Sequence, residues 1–492
     1  MHLRAGNNRL FCVSVRGKPE TGPVPLIQAR AESAHYDEMC EMRLTISRDR
    51  SVPRAIALSG LLLAMLVAAG GVVSAAPERA ALVAEAQKIA AQVGDANGRA
   101  LALTEVAVAL WTTDRKQADS LLNDARQSAQ MIDELVARYL CLRGIAARLA
   151  AVDPAAAKAA LEADGKSAEE LRYLGERTLA LREIARAMAP LDPASAAGMF
   201  ADAQASAEKI DANVFRAAAL RELAAAAQPF RPDIAAKCLD AAATALRGAQ
   251  SDPGLPLAQA ELAATLSQVD AERAYQLAND IKQDDIRRSA WAQIAANLAA
   301  RSPDAALAAL KAIKEPLARP LALGAAAANL SPAQGTVAAV LAEQALASLG
   351  GLGTEDSERV SAWCCQALAY TDPVRAVGMA GKLTNTDLRD QTLAEIAVRA
   401  ALKDPKAGLR IAQDIEDLTQ REDAATRIAP LLAKVDPDAA AQVARGILAR
   451  RARVSALLGV AAALAQPAGA QPGPAKPVPA KPTEPVTDRP HD

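Results

Sequence analysis

The feature that most constrains this chain is a repeat. An arginine and a proline sixteen positions apart bracket the pattern R-x3-L-x2-I-A-x2-L-A-x2-D-P, which recurs along most of the 492 residues. It is clearest in RYLCLRGIAARLAAVDP (Arg138 to Pro154) and RTLALREIARAMAPLDP (Arg177 to Pro193). Three further copies, opening at Arg287, Arg389 and Arg421, keep the same order. Taking the proline slot as anchor, copies fall at Arg115, Pro154, Pro193, Pro232, Ala271, Pro303, Pro332, Pro373, Pro405 and Pro437, and an eleventh ends near Gly469. The first four spacings are 39 residues; those that follow are 32, 29 and 41, then three of 32.

The pattern dictates a helical hairpin. Slots 4, 7, 8 and 11 after the arginine share one face of a helix, here helix A. Its isoleucine slot holds Val106, Ile145, Ile184, Leu223, Leu262, Ile294, Leu323, Cys364, Ile396, Ile428 and Val460. The slot after it holds alanine, glycine or cysteine in every copy, which lets helices approach closely. The Asp-Pro pair ends helix A and opens helix B: aspartate accepts from free N–H groups as N-cap, and proline suits the first helical position. The seven extra residues of the long copies are assigned to helix B, because the helix A pattern is unchanged. Hairpins of this size cannot bury a core alone, so the array has to stack. Abundant alanine and only 2% aromatic residues agree with helices rather than strands. The expected fold is all-α: a right-handed α-α superhelix of about eleven antiparallel hairpins, in 39-residue repeats over 76–271 and repeats of about 32 residues over 272–469.

Repeat length and the Leu-x-x-Asp-Pro junction make the chain resemble the tetratricopeptide and HEAT class of helical-hairpin repeats. The resemblance is architectural, since the Trp, Leu-Gly and Tyr positions of the tetratricopeptide pattern are absent. It implies scaffolding and the binding of a protein or peptide.

The flanks read differently. Residues 42–75 carry a basic start (Arg43, Arg48, Arg50, Arg54), an apolar run over 55–73 and the small residues Ser74 and Ala75. This is the pattern of an export signal cleaved between Ala75 and Ala76, which predicts a periplasmic or secreted protein. Contact with a membrane is expected only if the segment 55–73 stays uncleaved. Residues 1–41 look unlike a signal and are assigned to a gene-start extension with translation from Met42. Residues 470–492 are proline-rich and expected to be a disordered tail.

Candidate chemistry is sparse. Histidine occurs only at His2, His35 and His491, so the repeats hold no histidine base or metal ligand, and no cofactor is expected. A net charge of −1 argues against nucleic acid. The cysteines of the repeats, Cys141, Cys238, Cys364 and Cys365, read as buried free thiols. Trp111, Trp291 and Trp363 read as core fillers on helix A. The most informative polar feature is the arginine that opens helix A, seen at Arg99, Arg138, Arg177, Arg216, Arg287, Arg389, Arg421 and Arg453. A cation at a helix N-terminus opposes the macrodipole and needs a partner. Nearby carboxylates, such as Glu105, Glu183, Glu222 and Glu395 six residues later, suggest an inter-repeat arginine–carboxylate ladder; a ligand-facing basic stripe is the alternative. The function expected is a non-catalytic envelope scaffold. The alternatives are an α-helical carbohydrate-active enzyme, which would want aromatics and placed acids, and a structural accessory of the cell wall.

Overall fold

The structure is a computed structural model that describes residues 78–465. The signal segment, the residues before it and the proline-rich tail lie outside that range. Among the described residues, the chain is all helix. The first helices are α1 (Arg79–Ala90), α2 (Ala96–Leu110), α3 (Arg115–Gln130), α4 (Leu135–Leu149), α5 (Pro154–Glu169), α6 (Leu174–Met188) and α7 (Pro193–Ala207). Next come α8 (Asn213–Ala227), α9 (Pro232–Arg247), α10 (Leu255–Leu266), α11 (Ala271–Asp280), α12 (Asp284–Ala299), α13 (Pro303–Ala312) and α14 (Ala318–Asn329). The chain continues through α15 (Gly335–Ala347), α16 (Thr354–Leu368), α17 (Pro373–Ala380), α18 (Thr386–Ala401), α19 (Pro405–Gln413), α20 (Leu418–Leu432), α21 (Pro437–Gly446) and α22 (Arg450–Leu464). Even-numbered helices are helix A of the repeat and odd-numbered ones are helix B.

The Asp-Pro junction works as its chemistry requires. Asp153 accepts from the Ala156 N–H at 2.9 Å, with Pro154 in the first helical position. Asp114, Asp192, Asp270, Asp372, Asp404 and Asp436 cap the same way, and Ser302 takes the role once. The isoleucine slot is closed to solvent in every copy, at no more than 2% exposure. The small slot is also buried throughout, and at Gly324 a β-carbon would stand 3.3 Å from Val360 and 3.4 Å from Trp363. That spacing is the physical reason the slot stays small. Helix B carries the difference in repeat length: α3, α5, α7 and α9 have 15 or 16 residues, whereas α11, α13, α17, α19 and α21 have 8 to 10.

The described chain divides into two compact units. One takes residues 211–225 and 236–396; the other joins 74–210 and 226–235 with the chain from 397 onward. In the first, helix A stacks on the next helix A from α10 through α16, each flanked by its helix B. The second shows the same stacking along α2, α4 and α6, and again between α20 and α22. In it the eleventh copy has neighbours beyond the tenth, because α22 packs also on α1 and α2, helices far away in sequence.

Candidate functional site

The helix-opening arginines come first. Arg99, Arg138, Arg177, Arg287 and Arg453 each reach back six residues and donate to a backbone carbonyl. The acceptors are Val93 (2.8 Å), Ile132 (2.9 Å), Leu171 (2.8 Å), Ile281 (2.8 Å) and Ile447 (2.6 Å). Each acceptor lies just past the end of helix B, where carbonyls lack helical partners and the dipole is negative. The guanidinium therefore clamps the turn between B and A, and the dipole it meets is the favourable end of the previous helix.

The remaining positions vary the theme. Arg216 bonds the Asn213 side chain, and Arg287 adds Glu315 at 3.0 Å together with Asp284. Arg389 bonds Asp390 at 3.0 Å, and Arg421 is half-buried at the same register. Most of these arginines are thus engaged by carbonyls or side chains close by in sequence. Copies without the arginine have Leu255, Pro316 or Ser357 in its place. Their turns run 5 to 7 residues, against 3 to 5 where it is present.

Arginine–carboxylate pairs between repeats do exist; beside Arg287 with Glu315, they are made by other arginines. Arg143 meets Glu183 with both side chains buried, Arg221 meets Glu261 at 3.0 Å, and Arg148 meets Glu105 at 3.0 Å. Burial pulls Arg143 below its usual range while Glu183 opposes the shift. A second set links the N-cap aspartates to cations of the neighbouring copy: Arg115 to Asp153 (3.1 Å), Lys158 to Asp192 (2.7 Å) and Lys406 to Asp436 (3.0 Å). A third contact was not foreseen. Glu422, one residue past its arginine, accepts from the N–H groups of Leu448 (2.6 Å) and Ala449 (3.1 Å), and so caps the start of the next helix A. Glu358 does the same for Thr384 at 2.7 Å. The missed signal was an acid at the position after the arginine slot.

Cysteines 141, 238, 364 and 365 are buried and not joined in disulfides. Burial pushes the Cys141 thiol up to about 11 and Cys365 to about 12, and raises Cys364 as well. Trp291 is buried and stacks on Tyr275 at 5.3 Å, Trp111 carries Arg115 on its face at 3.7 Å, and Trp363 is half-buried.

The candidate site is a cleft of about 570 Å³ where α22 meets the first repeat. Its walls are the turn after α1 (Gln92 to Asp95) and the start of α22, with Arg450, Arg451 and Arg453. Arg450 gives one bond, at 3.2 Å, to the Gln92 carbonyl. Arg451 reaches Glu105 at 2.8 Å, the carboxylate already held by Arg148 and by the Ser455 hydroxyl at 2.8 Å. Three arginines thus face one lining carboxylate, Asp95. Arg450 and Arg451 depart from the repeat: three and two places before the arginine slot, other copies hold Leu135 and Val136, Asn213 and Val214, or Asp284 and Asp285, and none has two cations there.

No protein-family model matches the chain, and no curated protein does. Among solved structures, the crystal structure of Ton1535 from Thermococcus onnurineus NA1 is similar to 73% of this chain and 98% of its own, at 16% identity and a TM-score of 0.32. A likeness that loose bears on neither the repeat class nor the function of this chain, whose all-helical architecture stands on its own helices.

Proposed function

We propose that this chain is an exported, non-catalytic repeat scaffold of the right-handed superhelical hairpin class, related in architecture to tetratricopeptide and HEAT repeats. It binds a protein or peptide partner in the cell envelope, and the contact is made by an acidic segment of that partner in the cleft between α1 and α22. The observation that carries this reading is the break in the repeat. Arg450 and Arg451 put two adjacent cations at the cleft wall, where no other copy has a pair, with fewer lining carboxylates than arginines. Guanidinium forks hold carboxylates in paired hydrogen bonds, which suits recognition of an acidic peptide. Repeat arrays offer such surfaces as a matter of course. Export rests on residues 42–75.

The test is capture from envelope extract with the wild-type chain and with R450E/R451E, followed by crosslinking and mass spectrometry. A specific partner should be lost from the variant, with affinity down about tenfold or more and salt dependence weakened, and R450A, which leaves the Arg451–Glu105 pair in place, should lose part of that affinity at a nearly unchanged melting temperature. Equal capture by both chains defeats the cleft as the contact.

A further inference from the structure

The two ends of the array are complementary halves. Helix α1 has the character of a helix B with no helix A before it among the described residues. Helix α22 is a helix A, and the sequence after it turns proline-rich instead of supplying a helix B. These two pack together as α2 packs on α3 inside a hairpin. Around them the other neighbour relations also repeat. Helix α22 stacks on α2 as α2 stacks on α4, and α1 meets α2 as α3 meets α4. Polar contacts particular to this junction join the two segments: Arg445 meets Glu85 at 3.0 Å and Arg451 meets Glu105 at 2.8 Å. The eleventh hairpin is therefore built from segments more than 350 positions apart.

We infer that this split hairpin is an exchangeable contact whose alternative partner is a second copy of the chain, with α1 of each copy completing α22 of the other. Three observations carry the inference. Every interior helix is tied to packed helices on both sides, whereas α1 has one such connection among the described residues, through the turn 91–95. Releasing it leaves every contiguous hairpin intact. Its hold comes from the apolar contacts of Leu82, Val83, Ala86 and Ala90, the pair Glu85–Arg445, the bond from Arg450 to Gln92 and the Arg99 clamp on the Val93 carbonyl, and an exchanged α1 can form each of them again. Its N-terminus has no side-chain cap. Exchange remakes all these contacts in a closed two-fold dimer, so only the hinge and the concentration separate the two forms. An attached α1 competes at an effective concentration in the millimolar range, which keeps dilute protein monomeric.

The experiment uses the full chain with Cys12 and Cys40 changed to serine. The other four cysteines are buried, so a short bis-maleimide reports on introduced thiols. In the double variant E85C/R445C at low concentration, the crosslink should form within one chain at monomer mass. A mixture of the E85C and R445C single variants, concentrated and warmed below the melting point, should give a crosslinked adduct of twice the mass. A tenfold rise in concentration should raise the ratio of adduct to monomer about tenfold. R445C alone should give none. If the double variant gives no intramolecular crosslink, the split hairpin does not form and the inference fails. If it does, while the mixture yields no adduct at any concentration, α1 does not exchange and the inference fails too.

Discussion

At the scale of the residue, two side chains can be read as free-energy terms. Arg177 clamps the Leu171 carbonyl, a charged donor on an otherwise orphaned acceptor. Its change to alanine should cost about 1–2 kcal/mol, measured as a shift of the urea midpoint. Asp164 is the opposite case. Burial pushes its carboxyl up to about 6, with Arg126 opposing the shift only in part. A raised acid contributes stability below its unfolded value, near 3.9, and that stability is lost as pH rises through about 6. Asp164→Asn should therefore stabilise the protein by about 1–2 kcal/mol at pH 8 and leave it unchanged at pH 4; thermal melts at the two pH values check this. The arginine was legible in the sequence as a recurring cation in need of a partner. Its acceptor was not, because carbonyls are present at every position and a carboxylate stands out only by its letter.

At the scale of the element, the helix A pattern reads directly from the sequence. Its apolar slots are spaced by the helical period; slots 7 and 8 are buried in every copy, while Leu142 at slot 4 and Leu110 and Leu464 at slot 11 are half-buried. Helix B reads less well, since it packs mainly on its own helix A and tolerates more at each position. Gly408 illustrates this. It looks like a poor helix residue, yet a β-carbon there would stand 2.5 Å from the Ala397 carbonyl oxygen and from the Ala401 β-carbon. The contact on one side is backbone, so α18 and α19 would have to part. Gly408→Ala should destabilise by about 1–3 kcal/mol despite the better helix propensity, and equilibrium unfolding in urea is the measurement.

At the scale of the whole molecule, acid should destabilise the unit that joins 74–210 with the chain from 397 onward. Asp153 is held below the ordinary carboxylate range by the Ala156 N–H and by Arg115. Asp192 is lowered by Lys158 and the Ser195 N–H, and Asp436 by Lys406 and the Ala439 N–H. Each lowered acid contributes stability that is present above its unfolded pKa and lost as pH falls through its folded one. Apart from the gain from Asp164 near pH 6, the melting temperature should hold down to about pH 5 and drop below about pH 4. Differential scanning calorimetry across that range tests it. The pairing of α1 with α22 was the part of the fold least legible in the sequence. A repeat motif reports how each copy meets the next one along the chain, and it is silent on a partner that arrives from the opposite end.

The six-residue reach of the arginine clamp also explains where this family of copies could change size. Long and short copies alike keep the reach, as at Arg138 and Arg287, while helix B differs by about two turns. An insertion between the acceptor carbonyl and the guanidinium would pull the bond apart, whereas one upstream of the acceptor leaves it alone. Length polymorphism is thus steered into helix B, and the two longest turns, 248–254 and 348–353, belong to copies without the arginine.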